Sequence, residues 1–142
     1  MGKCCRFILG LGLMYLKLNN MKAQELIIGN WVNISISSAL EQQVIDVMCD
    51  CVNTKYHECI SYDFVEPIPL TEEWLLKFGF EAELKNADSK NGRFMVYTKY
   101  PITFNTNHGW WLYSMKLNVQ PEYVHQLQNL YYALTGEELC IK

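Results

Sequence analysis

A chain of 142 residues that is 50% hydrophobic and 13% aromatic can bury a compact core, which excludes an intrinsically disordered protein. Its net charge of −3 hides an asymmetry: residues 1–22 carry four basic groups and no acid, whereas residues 23–142 carry 8 basic and 15 acidic groups. A body of that sign does not neutralise the phosphates of a duplex, so a general double-stranded DNA binder is excluded as well.

Residues 1–20 read as a leader outside the domain. The stretch "FILGLGLMYL" (7–16) is apolar but about half the length that spans a bilayer. Lys3 and Arg6 ahead of it mimic a signal peptide, yet no small-x-small cleavage pattern follows. "MKAQELIIGNWV", from Met21, reads as a protein start. The expectation is an upstream extension from a misassigned start codon, with a signal peptide or membrane-surface segment as the alternative. Residues 21–142 then form a single α+β domain, or two subdomains at 21–69 and 70–142.

The first segment of that body, "ELIIGNWVNI" (25–34), is β-branched and aromatic and suits a strand bent at Gly29-Asn30. "QQVIDVMCDCV" (42–52) alternates, which predicts one half-buried strand with Ile45, Val47, Cys49 and Cys51 on one face. "NTK" (53–55) suits a hairpin turn, and "YHECISY" and "YDFVEPI" read as further short strands. Such a series predicts a small curved sheet, with an SH3-like barrel as one form it can take.

"EPIPLTEEWLLKFGF" (66–80) joins strand to helix. Pro67 and Pro69 forbid helix before Leu70, Thr71 suits the N-cap, and Glu72 and Glu73 complement the helix dipole in the first turn. Trp74, Leu75 and Phe78 form the buried stripe. Gly79 and Phe80 suit a Schellman ending.

"FEAEL" (80–84) reads as a strand and "KNADSKNG" (85–92) as a loop ending in the hairpin signal Asn91-Gly92. "RFMVYTKY" (93–100) and "GWWLYSMKL" (109–117) alternate as strands, with "PITFNTNHG" (101–109) between them as a loop or broken strand. Together they predict a three-stranded antiparallel sheet with one wet face. A C-terminal helix over 121–135, with Pro121 at its first position, covers that sheet through Val124, Leu127, Leu130, Tyr131 and Leu134 and ends at Gly136. "ELCIK" (138–142) suits a short terminal strand.

Three blocks, "MKAQELIIGNWV", "EPIPLTEEWLLKFGF" and "YVHQLQNLYYALTGEEL", resemble a family of small uncharacterised proteins from gut Bacteroidetes and their phages and mobile elements. The blocks cover about a third of the chain. The resemblance implies a bacterial or phage cytoplasmic protein starting near Met21. It implies no activity, so no catalytic residue is carried over.

Three constellations bear on chemistry. Cys49, Cys51, His57 and Cys59 supply soft ligands, but Cys-x-Cys is tighter than standard zinc spacing, and the expectation is core or incidental cysteines with no metal or cofactor. The six cysteines likewise lack the spacing of a disulfide framework and read as reduced thiols of a cytoplasmic protein. His125, Gln128, Asn129 and Tyr132 line a polar helix face. They are candidates for binding a ligand or partner, set against a solvated face or one bonded to nearby backbone. Arg93, Tyr97, Lys99, Trp110 and Lys116 are expected on one outer face with His108 beside them, a stacking platform with cations of the kind that holds single-stranded nucleic acid. Glu72 and Glu73 point different ways on a helix and are no catalytic pair. No P-loop, GxSxG, HExxH or dinucleotide fingerprint is present. The expected function is a non-enzymatic protein-binding or adaptor module of a phage or mobile element, with single-stranded nucleic-acid binding as the alternative.

Overall fold

The computed structural model describes residues 21–37, 40–86, 93–113 and 115–142. The leader and the Asn91-Gly92 turn lie outside them. The fold is α+β, and the described residues form two antiparallel sheets of five strands and two α-helices.

The first sheet holds β1 (Trp31–Ile34), β2 (Glu41–Val47), β3 (Cys51–Thr54), β4 (Ile60–Ser61) and β5 (Val65–Glu66), in the order β4-β3-β2-β1-β5. It is open at β4 and β5, so the SH3-like barrel does not form. Gly29 enters β1 at φ +94°, a left-handed bend that suits glycine, as the Gly29-Asn30 pair predicts. "QQVIDVMCDCV" is not one strand but the β2–β3 hairpin, turning at Met48–Asp50. A bulge between Val44 and Asp46 shifts the register, so Val44 is fully buried and Ile45 is half exposed, against the face expected for it. Met21, Leu26, Val32, Ile34, Val44, Val52, Ile60 and Val65 pack as a small aliphatic core.

The helix α1 (Glu72–Lys77) follows the expected joint closely. Thr71 takes the extended N-cap backbone, though its side chain makes no capping bond. At the other end the Phe80 N–H reaches the Leu75 carbonyl (3.0 Å), the Gly79 N–H reaches Leu76 (2.8 Å), and Gly79 has φ +78°. That is the Schellman ending.

The second sheet holds β6 (Glu81–Asn86), β7 (Arg93–Lys99), β8 (Ile102–Asn105), β9 (Gly109–Leu112) and β10 (Met115–Lys116), in the order β10-β9-β8-β7-β6. It has five strands rather than three. The segment expected as a loop supplies β8, and "GWWLYSMKL" breaks at Tyr113, whose φ of +53° leaves the strand conformation between β9 and β10.

The last helix, α2 (Val124–Thr135), starts three residues later than Pro121. Residues 68–70 pair with 122–124 first: the Leu70 N–H meets the Glu122 carbonyl (2.8 Å) and the Val124 N–H meets Ile68 (2.9 Å). That extended pairing keeps 121–123 out of the helix. Gly136, at φ +73°, ends it as predicted.

Trp74, Leu75, Phe78 and Phe80 pack with Tyr97, Ile102, Trp110, Val124, Leu127, Tyr131 and Leu139 in a second, aromatic core. Leu134 is exposed rather than part of it. The terminal residues form no strand. The Lys142 N–H bonds the Lys77 carbonyl (3.0 Å), which lays the tail along the end of α1.

Candidate functional site

The basic aromatic set does not assemble on an outer face. Arg93, Tyr97 and Lys99 share one side of β7 by alternation, but that side faces the core. Tyr97 and Trp110 are 2% and 3% exposed. Register places Tyr97 against Phe104 and Phe104 against Trp110, with ring centroids 6.2 and 4.7 Å apart. Lys99 donates to the Phe78 carbonyl at 2.6 Å and lies over the Tyr131 ring, and burial lowers its pKa. Lys116 pairs with Trp111, on the opposite face from Trp110. Arg93, His108 and Lys116 are exposed, and the His108 ring meets the Phe94 ring edge-on, at 6.2 Å. The platform's aromatics are therefore spent on the interior.

The polar stripe of α2 is divided. Gln128 is buried, its Oε1 accepting from the Trp31 N–H (2.9 Å) and its Nε2 donating to the carbonyls of Gly29 (2.9 Å) and Leu139 (3.3 Å). Asn129 accepts from Asn30 Nδ2 (3.0 Å) and donates to the Glu25 carbonyl (2.8 Å). Both side chains clasp the entry to β1, which buried backbone groups require of some partner. His125 is buried, stacked on Tyr123, and its Nδ1 has no partner among the described residues. Burial pushes its pKa down to about 4. Only Tyr132 projects outward, at the edge of a groove of about 360 Å³ with Leu26, Ile27, Ile28, Asp46 and Glu138.

The four candidate ligands do not converge on one point: Cys51 and Cys59 lie together, but His57 and Cys49 engage other groups. The His57 Nδ1 and the Thr54 hydroxyl both address Gln42 Oε1, at 3.1 and 2.6 Å, and Cys49 faces Asp50. No group of three His, Cys, Asp or Glu among the described residues could hold a metal ion.

What the fold does bring together is a cleft of about 460 Å³ between the start of α1, strands β8 and β9, and residues 120–122. Phe104, Trp110 and Leu75 floor it, while Glu72, Glu122, Gln120 and Thr71 supply polar groups around it. Among the described residues, neither Lys nor Arg lines it. Its size and its few polar groups over an apolar floor make it the candidate site. Burial, followed by the neighbouring Glu72 carboxylate, raises the pKa of the Tyr97 hydroxyl to about 12.

Sequence reasoning missed this site. Glu72 was accounted for by the helix dipole, and Phe104 lay in an expected loop. Gln120 and Glu122 carry no motif, and only the pairing of 68–70 with 122–124 sets Glu122 opposite Glu72.

No helix of the described residues is long and apolar enough to cross a membrane. No family model matches the chain, and no curated protein or solved structure is significantly similar to it.

Proposed function

We propose that the protein is a non-enzymatic binding module that receives a basic segment of a partner protein in the cleft between α1 and β8–β9. The carrying observation is charge complementarity: two carboxylates, an amide and a hydroxyl border an aromatic floor, with no cation among the described residues lining the site. A lysine or arginine side chain laid over Trp110 and Phe104 would meet both the ring faces and the carboxylates. The groove at Tyr132 repeats the pattern on a smaller scale, with Asp46 and Glu138 beside Ile27 and Ile28. The acidic body favours the encounter with a basic partner electrostatically. The resemblance of the three sequence blocks extends the proposal to a cytoplasmic accessory protein of a phage or mobile element of Bacteroidetes.

The test is titration of the purified chain with short Lys/Arg-containing peptides, acidic control peptides and a single-stranded oligonucleotide. Binding confined to basic peptides, weakened by salt and by Glu72→Gln with Glu122→Gln, supports the proposal. Binding of the oligonucleotide alone, lost in Arg93→Ala with Lys116→Ala, replaces it with the nucleic-acid function.

A further inference from the structure

The Sγ atoms of Cys51 and Cys59 are 2.8 Å apart. That is inside the van der Waals contact distance of two sulfur atoms, and no disulfide joins them. Cys51 opens β3 and Cys59 lies just ahead of β4, in chemically different settings: Cys51 is 3% exposed and Cys59 is partly open to solvent.

The local chain is arranged to hold them there. Cys51 pairs with Ser61 and Val52 with Ile60, so a regular ladder would leave Cys59 diagonal to Cys51. Diagonal neighbours on a ladder lie ~7–8 Å apart, too far for contact between sulfurs. The chain departs from that ladder at Cys59, which has φ +49°, a backbone region that non-glycine residues occupy at a cost. The conformation is fastened on both sides. The Cys59 N–H donates to Asn53 Oδ1 (2.6 Å). The turn before it is closed by the Thr54 N–H on the His57 carbonyl (2.8 Å) and the His57 N–H on Thr54 Oγ1 (3.2 Å). Gln42, buried in β2, binds both Thr54 and His57. Met48 closes the other side, its sulfur 4.0 Å from Cys51 and its carbonyl bound by the Tyr62 hydroxyl (2.7 Å).

We propose that Cys51 and Cys59 are a thiol–disulfide pair that closes under a low-molecular-weight disulfide oxidant. The Cys59 thiolate, the more accessible of the two, attacks one sulfur of the oxidant RSSR and expels RS⁻, which takes a proton to become RSH. The Cys51 sulfur then attacks Cys59 Sγ, loses its proton and expels the second RSH. The two thiols are oxidised by two electrons, RSSR is reduced to two RSH, and one S–S bond forms for the one that breaks. The product fixes the turn 54–58 onto β3. In a reducing compartment the pair stays open, and in an oxidising one it stays closed.

The test equilibrates the folded full-length chain in buffers from fully reduced to fully oxidised glutathione, blocks remaining thiols with N-ethylmaleimide under denaturing conditions, and maps the peptides by mass spectrometry. A Cys51–Cys59 linked peptide, lighter by two hydrogens and rising with oxidant, is the expected result. Cys59→Ser should abolish it and leave Cys51 fully alkylated; Cys51→Ser should arrest the reaction at a glutathione adduct on Cys59. Both variants are to be shown folded by circular dichroism, and Cys51→Ala replaces Cys51→Ser if that chain fails to fold. Complete alkylation of both cysteines in oxidised glutathione overturns the proposal. So does linkage of Cys59 to Cys49 or Cys140 instead, or one zinc ion per chain that blocks the reaction when zinc alone is added.

Discussion

The two sheets solve the same problem with different materials. The first is built on small aliphatic side chains and needs buried polar residues, Gln42, Thr54 and Asn30, to tie its turns. The second is built on aromatic rings stacked across β7, β8 and β9 and covered by α1 and α2. Rings bury more area per residue, so the aromatic side can spare its rim for polar groups around a cleft. The aliphatic side spends its polar groups on itself. The regions meet where Trp31 packs on Trp74, with ring centroids 5.9 Å apart, and where Gln128 and Asn129 hold the entry to β1.

That contrast predicts unequal losses. Trp74→Ala removes a ring that touches both Trp31 and Phe78 and should cost about 3–5 kcal/mol in chemical denaturation. Val44→Ala in the aliphatic core should cost about 2 kcal/mol. Equal costs would break the comparison.

His125 makes the aromatic side sensitive to acid. Its pKa falls from 6.5 to about 4 on burial, so the folded state keeps the imidazole neutral while the unfolded chain takes up a proton. The contribution is complete above pH 6.5 and is lost as the pH falls through about 4, amounting to roughly 3 kcal/mol. Denaturation curves at several pH values should show that loss in the wild type and a smaller one in His125→Gln.

The smallest effect sharpens the junction. Gln128→Ala leaves the Trp31 N–H and the Gly29 carbonyl without their partner and should cost about 1–3 kcal/mol. Hydrogen exchange should accelerate at residues 25–31 first, with β7 and β8 still protected. Uniform acceleration would mean the two regions unfold as one.

Local chemistry was legible in the sequence and sidedness was not. The Schellman ending at Gly79 and the stop at Gly136 follow from residues within a turn of each other, and both stand in the structure. Strand parity was also legible, since Arg93, Tyr97 and Lys99 do share a face. Whether that face meets water depends on α1 and α2, which lie far along the chain. For Gln128 and Asn129 the sequence leaves open a solvated face or one bonded to backbone, and the structure selects the second; an amide that bonds water and one that bonds distant backbone are spelled alike. Tyr113 breaks its strand without a glycine, and the Glu72–Glu122 cleft arises from a pairing of segments some fifty residues apart. None of these leaves a local signature.

The central claim is that the cleft over Phe104 and Trp110 receives a cation carried by a partner. The most direct measurement is nuclear magnetic resonance of the isotopically labelled chain during titration with a lysine-rich peptide. The account predicts saturable shifts at Thr71, Glu72, Gly109, Gln120, Glu122 and the Trp110 indole N–H, reversed by salt. Shifts confined to Arg93, His108 and Lys116, or none at the cleft at any peptide concentration, would contradict it.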